Sequence, residues 1–228
     1  MSLAVTQLIG FGAASTQLTP ASISYITNAA SSSGLTNYTF STQSIGTAAT
    51  GRRIIVIASG YSTTGGRTLS SVTIGGNAAT SIVTASDSGG AVNSQLSGIF
   101  ILQVDAGTTA DIVVNFSGGM GGCDIGVFAA YDLLSSTATD TGSSVANPMT
   151  DTIDISAGGI CVAGCETYTT GSSGHTWTNL TERYDATQQT QLYYTGASDA
   201  FASAQSALAV TCTPASYTSA PWVIASFR

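Results

Sequence analysis

Leu69-Ser70-Ser71-Val72-Thr73-Ile74, then Gly75-Gly76-Asn77, then Ala78-Ala79-Thr80-Ser81-Ile82-Val83: this stretch decides the fold class. Two short β-prone runs flank glycines that can adopt positive φ, the signature of a β-hairpin. Similar runs continue in both directions. Thr39–Thr42 and Arg53–Ala58 precede the stretch. Leu96–Val104, Asp111–Phe116, Asp124–Tyr131, Thr152–Ile155 and Ile160–Cys165 follow it, and Thr176–Thr178, Glu182–Tyr184, Gln191–Tyr194, Ala207–Thr213 and Trp222–Phe227 complete the set. Strand-like runs separated by turn residues every 8–12 or so positions predict a sandwich or barrel. No segment carries sustained helical periodicity with caps, so very little helix is expected. The expected fold is all-β, a β-sandwich of jelly-roll or related topology.

Composition narrows the function. Of 228 residues only 7% are charged, against about a quarter in an average domain. There is no lysine, and the five arginines, Arg52, Arg53, Arg67, Arg183 and Arg228, face twelve acids for a net charge of −7. Only Arg52 and Arg53 adjoin, so no basic patch follows a phosphate backbone or an anionic bilayer, and neither nucleic acid nor membrane is an expected partner. A hydrophobic content of 43% is enough for a substantial core. No apolar run approaches the ~18 residues of a spanning helix, and the N-terminus lacks the positive start of a signal peptide. Without lysine and with only four prolines, strand edges lack their usual protection, which favours a protein that works in an assembly.

Two segments are poor in strand signal. Residues 1–35 read as an extended N-terminal arm, lying either on a neighbouring subunit or over its own domain, with 36–228 as the β-sandwich. Residues 135–148 read as one long loop or a link between two sub-sheets. The four cysteines, Cys123, Cys161, Cys165 and Cys212, include no C-x-x-C, and with one histidine a zinc site is not expected. Cys161 and Cys165, four apart on one strand, lie about 13 Å from each other, too far for a disulfide. Buried free thiols are the expectation, with a Cys123–Cys212 or Cys165–Cys212 bridge as the alternative.

Catalytic signals are weak. His175 has Glu166, Glu182 and Asp185 near it in sequence, yet no G-x-S-x-G elbow accompanies it. Asp151/Asp154 and Glu182/Asp185 are three apart, so each pair straddles a strand rather than sharing a face. Asp87-Ser88-Gly89-Gly90 and Asp140-Thr141-Gly142 supply oxygens without the spacing of a dedicated calcium loop. No enzyme activity, cofactor or metal is expected. The aromatic residues are more suggestive. Trp177, Tyr184, Tyr193, Tyr194 and Trp222 concentrate in the last quarter, and adjacent Tyr193 and Tyr194 put one ring away from the core if they lie on a strand. These five are the candidate ligand or partner contacts.

Several segments together resemble a family of all-β virion structural proteins of tailed phages, common in marine phages. The segments are Tyr38-Thr39-Phe40, Gly51–Val56, Ser71–Thr80, Asp111–Phe116, Trp177–Glu182, Ser198–Phe201 and Ala225–Phe227. The resemblance spans residues 38–228 and carries no catalytic residues. It implies a capsid decoration, cement or head-fibre protein acting through protein–protein contacts with the major capsid protein or tail components. Localisation would be the virion, assembled in the host cytoplasm, and the oligomer a homo-oligomer such as a trimer. The alternative is a carbohydrate-binding or host-surface adhesion module, including a tail-associated one, whose partner is a host surface glycan.

Overall fold

The structure, a computed structural model, describes residues 18–88, 93–169, 174–217 and 220–228. The described residues form strands and turns with no helix. The first nine strands are β1 (Ser22–Ser31), β2 (Asn37–Ser44), β3 (Arg53–Ser62), β4 (Leu69–Ile74), β5 (Asn77–Ala78), β6 (Thr80–Asp87), β7 (Ser94–Gln103), β8 (Thr109–Phe116) and β9 (Gly122–Tyr131). They build an inner sheet, β1-β9-β3-β7-β6, and an outer sheet, β2-β8-β4-β5. The other eight are β10 (Asp140–Ser144), β11 (Met149–Ile155), β12 (Gly159–Tyr168), β13 (His175–Thr178), β14 (Glu182–Gln189), β15 (Leu192–Phe201), β16 (Gln205–Pro214) and β17 (Trp222–Phe227). They build a second inner sheet, β10-β17-β12-β15-β14, and a second outer sheet, β11-β16-β13. The pairings between strands are antiparallel.

The two halves repeat one plan. With the two-residue β5 set aside, β1 to β9 correspond in order to β10 to β17, and each inner sheet has the same strand order. The expected all-β sandwich is present twice, each unit dividing its strands between a five-stranded inner sheet and a smaller outer one.

Four layers enclose three cores. Phe40, Val56, Val72, Phe100, Val114 and Ile125 fill the first, between the first outer and inner sheets. Ile55, Ile57, Ile99, Phe128, Val162 and Phe227 fill a seam between the two inner sheets. Met149, Ile153, Cys161, Val210, Cys212 and Trp222 fill the third, under the second outer sheet. The seam faces are equivalent: β3 packs against its counterpart strand β12, and Ile55 and Ile57 share the seam core with Ile160 and Val162. The units therefore pack back to back as an isologous dimer would, inside one chain. Each Ile or Phe buried there contributes about 1.5–3 kcal/mol relative to exposure.

This layering explains the strand sequences. β3, β9, β12 and β17 are buried on both faces, so they read as near-continuous apolar runs. β8 and β11 have one face outward and alternate. At Gly75 and Gly76, φ is +58° and +81°, conformations that a side chain resists.

Three expectations change. The 69–83 hairpin is brief: only Thr73 and Ile74 pair with Ala78 and Asn77. The chain then crosses to the inner sheet, where β6 joins β7, because the apolar side chains after Thr80 find cover in the seam. The arm expected over 1–35 contains β1, which pairs with β9 of its own unit from Ser22↔Tyr131 to Ser31↔Cys123; residues 1–17 lie outside the described residues. Residues 135–148 link the two units and also hold β10, paired with β17. The signal was weak because β10 is short, small and polar, while in β1 a bulge between Tyr25 and Thr27 breaks the alternation.

Candidate functional site

The aromatic candidates are distributed through the layers. Trp222 is fully buried in the third core. Tyr184 and Tyr194 are buried in the seam, their ring centroids 5.7 Å apart. Half-buried Trp177 packs against the third core and donates its indole N–H to Thr195 Oγ1 at 3.0 Å. Half-buried Tyr193 donates its hydroxyl to the Thr190 carbonyl at 2.9 Å. Reading Trp222, Tyr184 and Tyr194 as contact surfaces is thus corrected. Adjacent Tyr193 and Tyr194 point to opposite faces of β15, but both faces of its sheet are covered, so neither ring stands fully in solvent.

A different pair of tyrosines reaches the surface. At one end of the seam, Tyr61 of β3 and Tyr168 of β12 line a recess of about 320 Å³ with Gln189, Gln191 and Leu192. Tyr61 donates to Gln189 Oε1 at 3.0 Å, and Tyr168 to Gln191 Oε1 at 2.9 Å. Gln189 in turn donates to the Gly121 carbonyl at 3.2 Å. Two ring faces beside carboxamides and hydroxyls suit a polar ligand with an apolar face. Sequence reading missed this recess because its residues come from three separated segments.

Behind the recess the seam turns polar. Ser59, Ser97 and Asp124 occupy one row of the first inner sheet, where Ser59 is the Cα partner of both Ser97 and Asp124. The Ser59 and Ser97 hydroxyls lie 3.0 Å apart. Gln95 sits in the next row, paired with Tyr61. Glu166 faces them from β12, and Gln188 from β14 lies against Gly122 and Tyr61. Asp124, Glu166 and Gln95 are buried. Burial pushes the Asp124 carboxyl well above the usual carboxylate range, against the opposing effect of its Ser59 hydrogen bond. Burial likewise pushes Glu166 up, with Asp124 and Cys165 adding to the rise. Each lone carboxyl in an otherwise apolar strand, Cys123-Asp124-Ile125 and Gly164-Cys165-Glu166, was a visible signal of this centre.

His175 has a third environment, between the second inner and outer sheets. Its Nδ1 lies 2.9 Å from Asp185 Oδ1 and its Nε2 3.1 Å from Thr167 Oγ1. Burial lowers the imidazole, but the Asp185 hydrogen bond and the contact with Cys165 outweigh it and lift His175 to about 10. Burial raises Asp185, and the His175 pair overrides it, so that Asp185 falls below its ordinary value. Carboxylate, imidazole and hydroxyl are in line as in a nucleophilic triad. However, Thr167 is buried and the His175 side chain is 1% exposed. A fixed ion pair is what this arrangement supplies. The four cysteines are free and buried; Cys165 and Cys212 lie with sulfurs 4.0 Å apart across the third core.

Four of the five arginines are used inside the molecule, and the fifth, Arg67, has its Nε buried without a partner beside Gly118. Arg52 is fully buried and donates to the carbonyls of Gly46, Val104, Ala106 and Gly107. Arg53 donates to Leu133 and Ser136. Arg183 pairs with Asp199 at 3.1 Å and also donates to the Ser198 carbonyl. Arg228 donates to the Thr19 carbonyl at 3.1 Å. The outward faces of the outer sheets carry hydroxyls instead, among them Thr39 and Ser41 on one side and Thr150, Thr152, Thr176 and Thr213 on the other. Comparison with protein-family models, with curated proteins and with solved structures finds no match.

Proposed function

We propose that this chain is a structural protein of a tailed-phage virion, a capsid decoration, cement or head-fibre protein that acts through protein–protein contacts. The observation that carries the reading is the surface. Two outer sheets present hydroxyl-rich faces, while Arg52, Arg53, Arg183 and Arg228 are held by partners within the fold. Such a face loses little to ion desolvation when a neighbour covers it. A stable interface buries about 800 Å² per partner, and repetition over a symmetric shell multiplies weaker contacts into avidity. The resemblance over residues 38–228 supplies the kind of particle. Imaging purified particles with the protein labelled tests this: many copies spread over the head are expected, and absence from the particle would overturn the reading.

The recess at the seam favours a second reading, a host-surface glycan module, because two tyrosines and two glutamines line it. On a glycan array, that reading requires saturable binding that Tyr61→Ala or Tyr168→Ala abolishes. Blank wells for the intact protein would remove it.

A further inference from the structure

The polar centre of the seam holds side chains whose polar atoms are largely unmet among the described residues. Both carboxylate oxygens of Glu166, one of Asp124, and the carboxamide oxygen and nitrogen of both Gln95 and Gln188 are buried without a hydrogen-bond partner. Leaving even one such group unmet is costly, and more so for a charged one. These groups come from β7, β9, β12 and β14, and so from both units. Asp124 and Glu166 influence each other electrostatically. Gln188 lies over Gly122, two residues from Asp124, and Gln95 stands beside Tyr61, two residues from Ser59.

We propose that Asp124, Glu166, Gln95 and Gln188 form a calcium-type site, holding one hard divalent cation between the two sandwiches. Three observations lead there. The donors are carboxylates and carboxamides, with the Ser59 and Ser97 hydroxyls beside Asp124, an all-oxygen set that suits Ca²⁺ and not a thiophilic metal. Two carboxylates match the double charge of the ion, and no arginine acts on either of them. Arg52, Arg53, Arg183 and Arg228 are engaged elsewhere, Arg67 lies against Gly118, and His175 lies beyond the second inner sheet, against Asp185. Finally, none of the four side chains bonds another. Two protonated carboxyls beside two carboxamides would hydrogen-bond directly, whereas ligands around Ca²⁺ at about 2.3–2.6 Å stand apart from one another. Carboxamides at the ends of long side chains also let the site adapt its coordination number. The recess under Tyr61 and Tyr168 gives the ion its way in, and an ion held there joins the two units.

The full-length protein, stripped with EGTA, is titrated with CaCl₂ by calorimetry and by thermal melting. One equivalent per chain is expected, with Tm rising about 5–10 °C at a hundredfold excess over Kd. Tb³⁺ added in place of Ca²⁺ should emit on tyrosine excitation, since Tyr61, Tyr184 and Tyr194 surround the site, and Ca²⁺ should quench that emission by displacement. The Asp124→Asn/Glu166→Gln protein should lose both responses. Gln188→Leu, at the rim of the seam, should keep the fold and bind at least tenfold more weakly. A wild-type Tm indifferent to millimolar Ca²⁺ would overturn the proposal and assign the carboxyls to their protonated form. So would binding that persists in the double variant, or binding in Gln188→Leu as tight as in wild type.

Discussion

At the scale of single residues, the fold depends on where small and ionised side chains sit. The Tyr184 ring passes between Gly126 of β9 and Gly196 of β15, close enough that a methyl group at either would collide with it. Gly126→Ala should therefore destabilise the protein by about 1–3 kcal/mol, measured as a lower denaturant midpoint with unchanged slope. His175 and Asp185 control a pH response of definite sign. The imidazole is raised in the fold from 6.5 to about 10, so its contribution is complete below 6.5 and disappears as pH rises towards 10. Asp185 is lowered from 3.8, so its contribution is present above that value and lost as pH falls through its depressed range. Between pH 6 and pH 9.5 wild-type Tm should fall more steeply than that of His175→Gln, and parallel curves would show that the pair does not titrate as described.

Among the elements, β1 matters more than its composition suggests. It continues the first inner sheet along β9 and places Tyr25 against both Phe128 and Tyr184, with centroids 5.7 and 5.4 Å apart. Deleting residues 1–34 removes that strand, leaves β9 as an unprotected edge and uncovers part of the seam. The truncated protein should melt at a lower temperature and aggregate more readily, as read by scanning calorimetry and light scattering. An unchanged melt would mean that β1 adds nothing to the fold. A loss of particle binding on this deletion would report unfolding of an edge, so assembly is better tested by substitutions on the outer sheets.

For the whole molecule, the seam is the organising feature. It joins two equivalent faces, β1 lying across from β14 and β10 from β6. A first unit expressed alone, residues 18–137, exposes Ile55, Ile57, Ile99 and Phe128. It should pair with itself through that face, giving twice the monomer mass by light scattering. A stable, soluble monomer would show that the seam is not needed to hide those side chains. The intact chain should unfold in a single calorimetric transition, because separating the units exposes the apolar seam face of each.

Much of the architecture was legible in the chain. Period-two alternation in Thr109–Phe116 and Met149–Ile155 marks strands with one wet face, and the unbroken apolar runs of Arg53–Ala58 and Ile160–Cys165 mark strands covered on both sides. The small, polar edge strand Asp140–Ser144 and the bulged edge strand Ser22–Ser31 left little pattern to read. Charge poverty is likewise a property of the sequence itself. The partner of each face was not legible, because alternation shows which side chains avoid water but not which sheet covers them. That is why Trp222 and Tyr194 read as surface candidates and lie in cores, while Tyr61 and Tyr168, 107 residues apart in sequence, share a recess. Asp124 and Glu166 stand out in the sequence as isolated carboxyls within apolar strands. Only the stacking of two sandwiches brings them to one buried centre, since residues far apart in the chain share an environment only when tertiary packing closes the distance between their sheets.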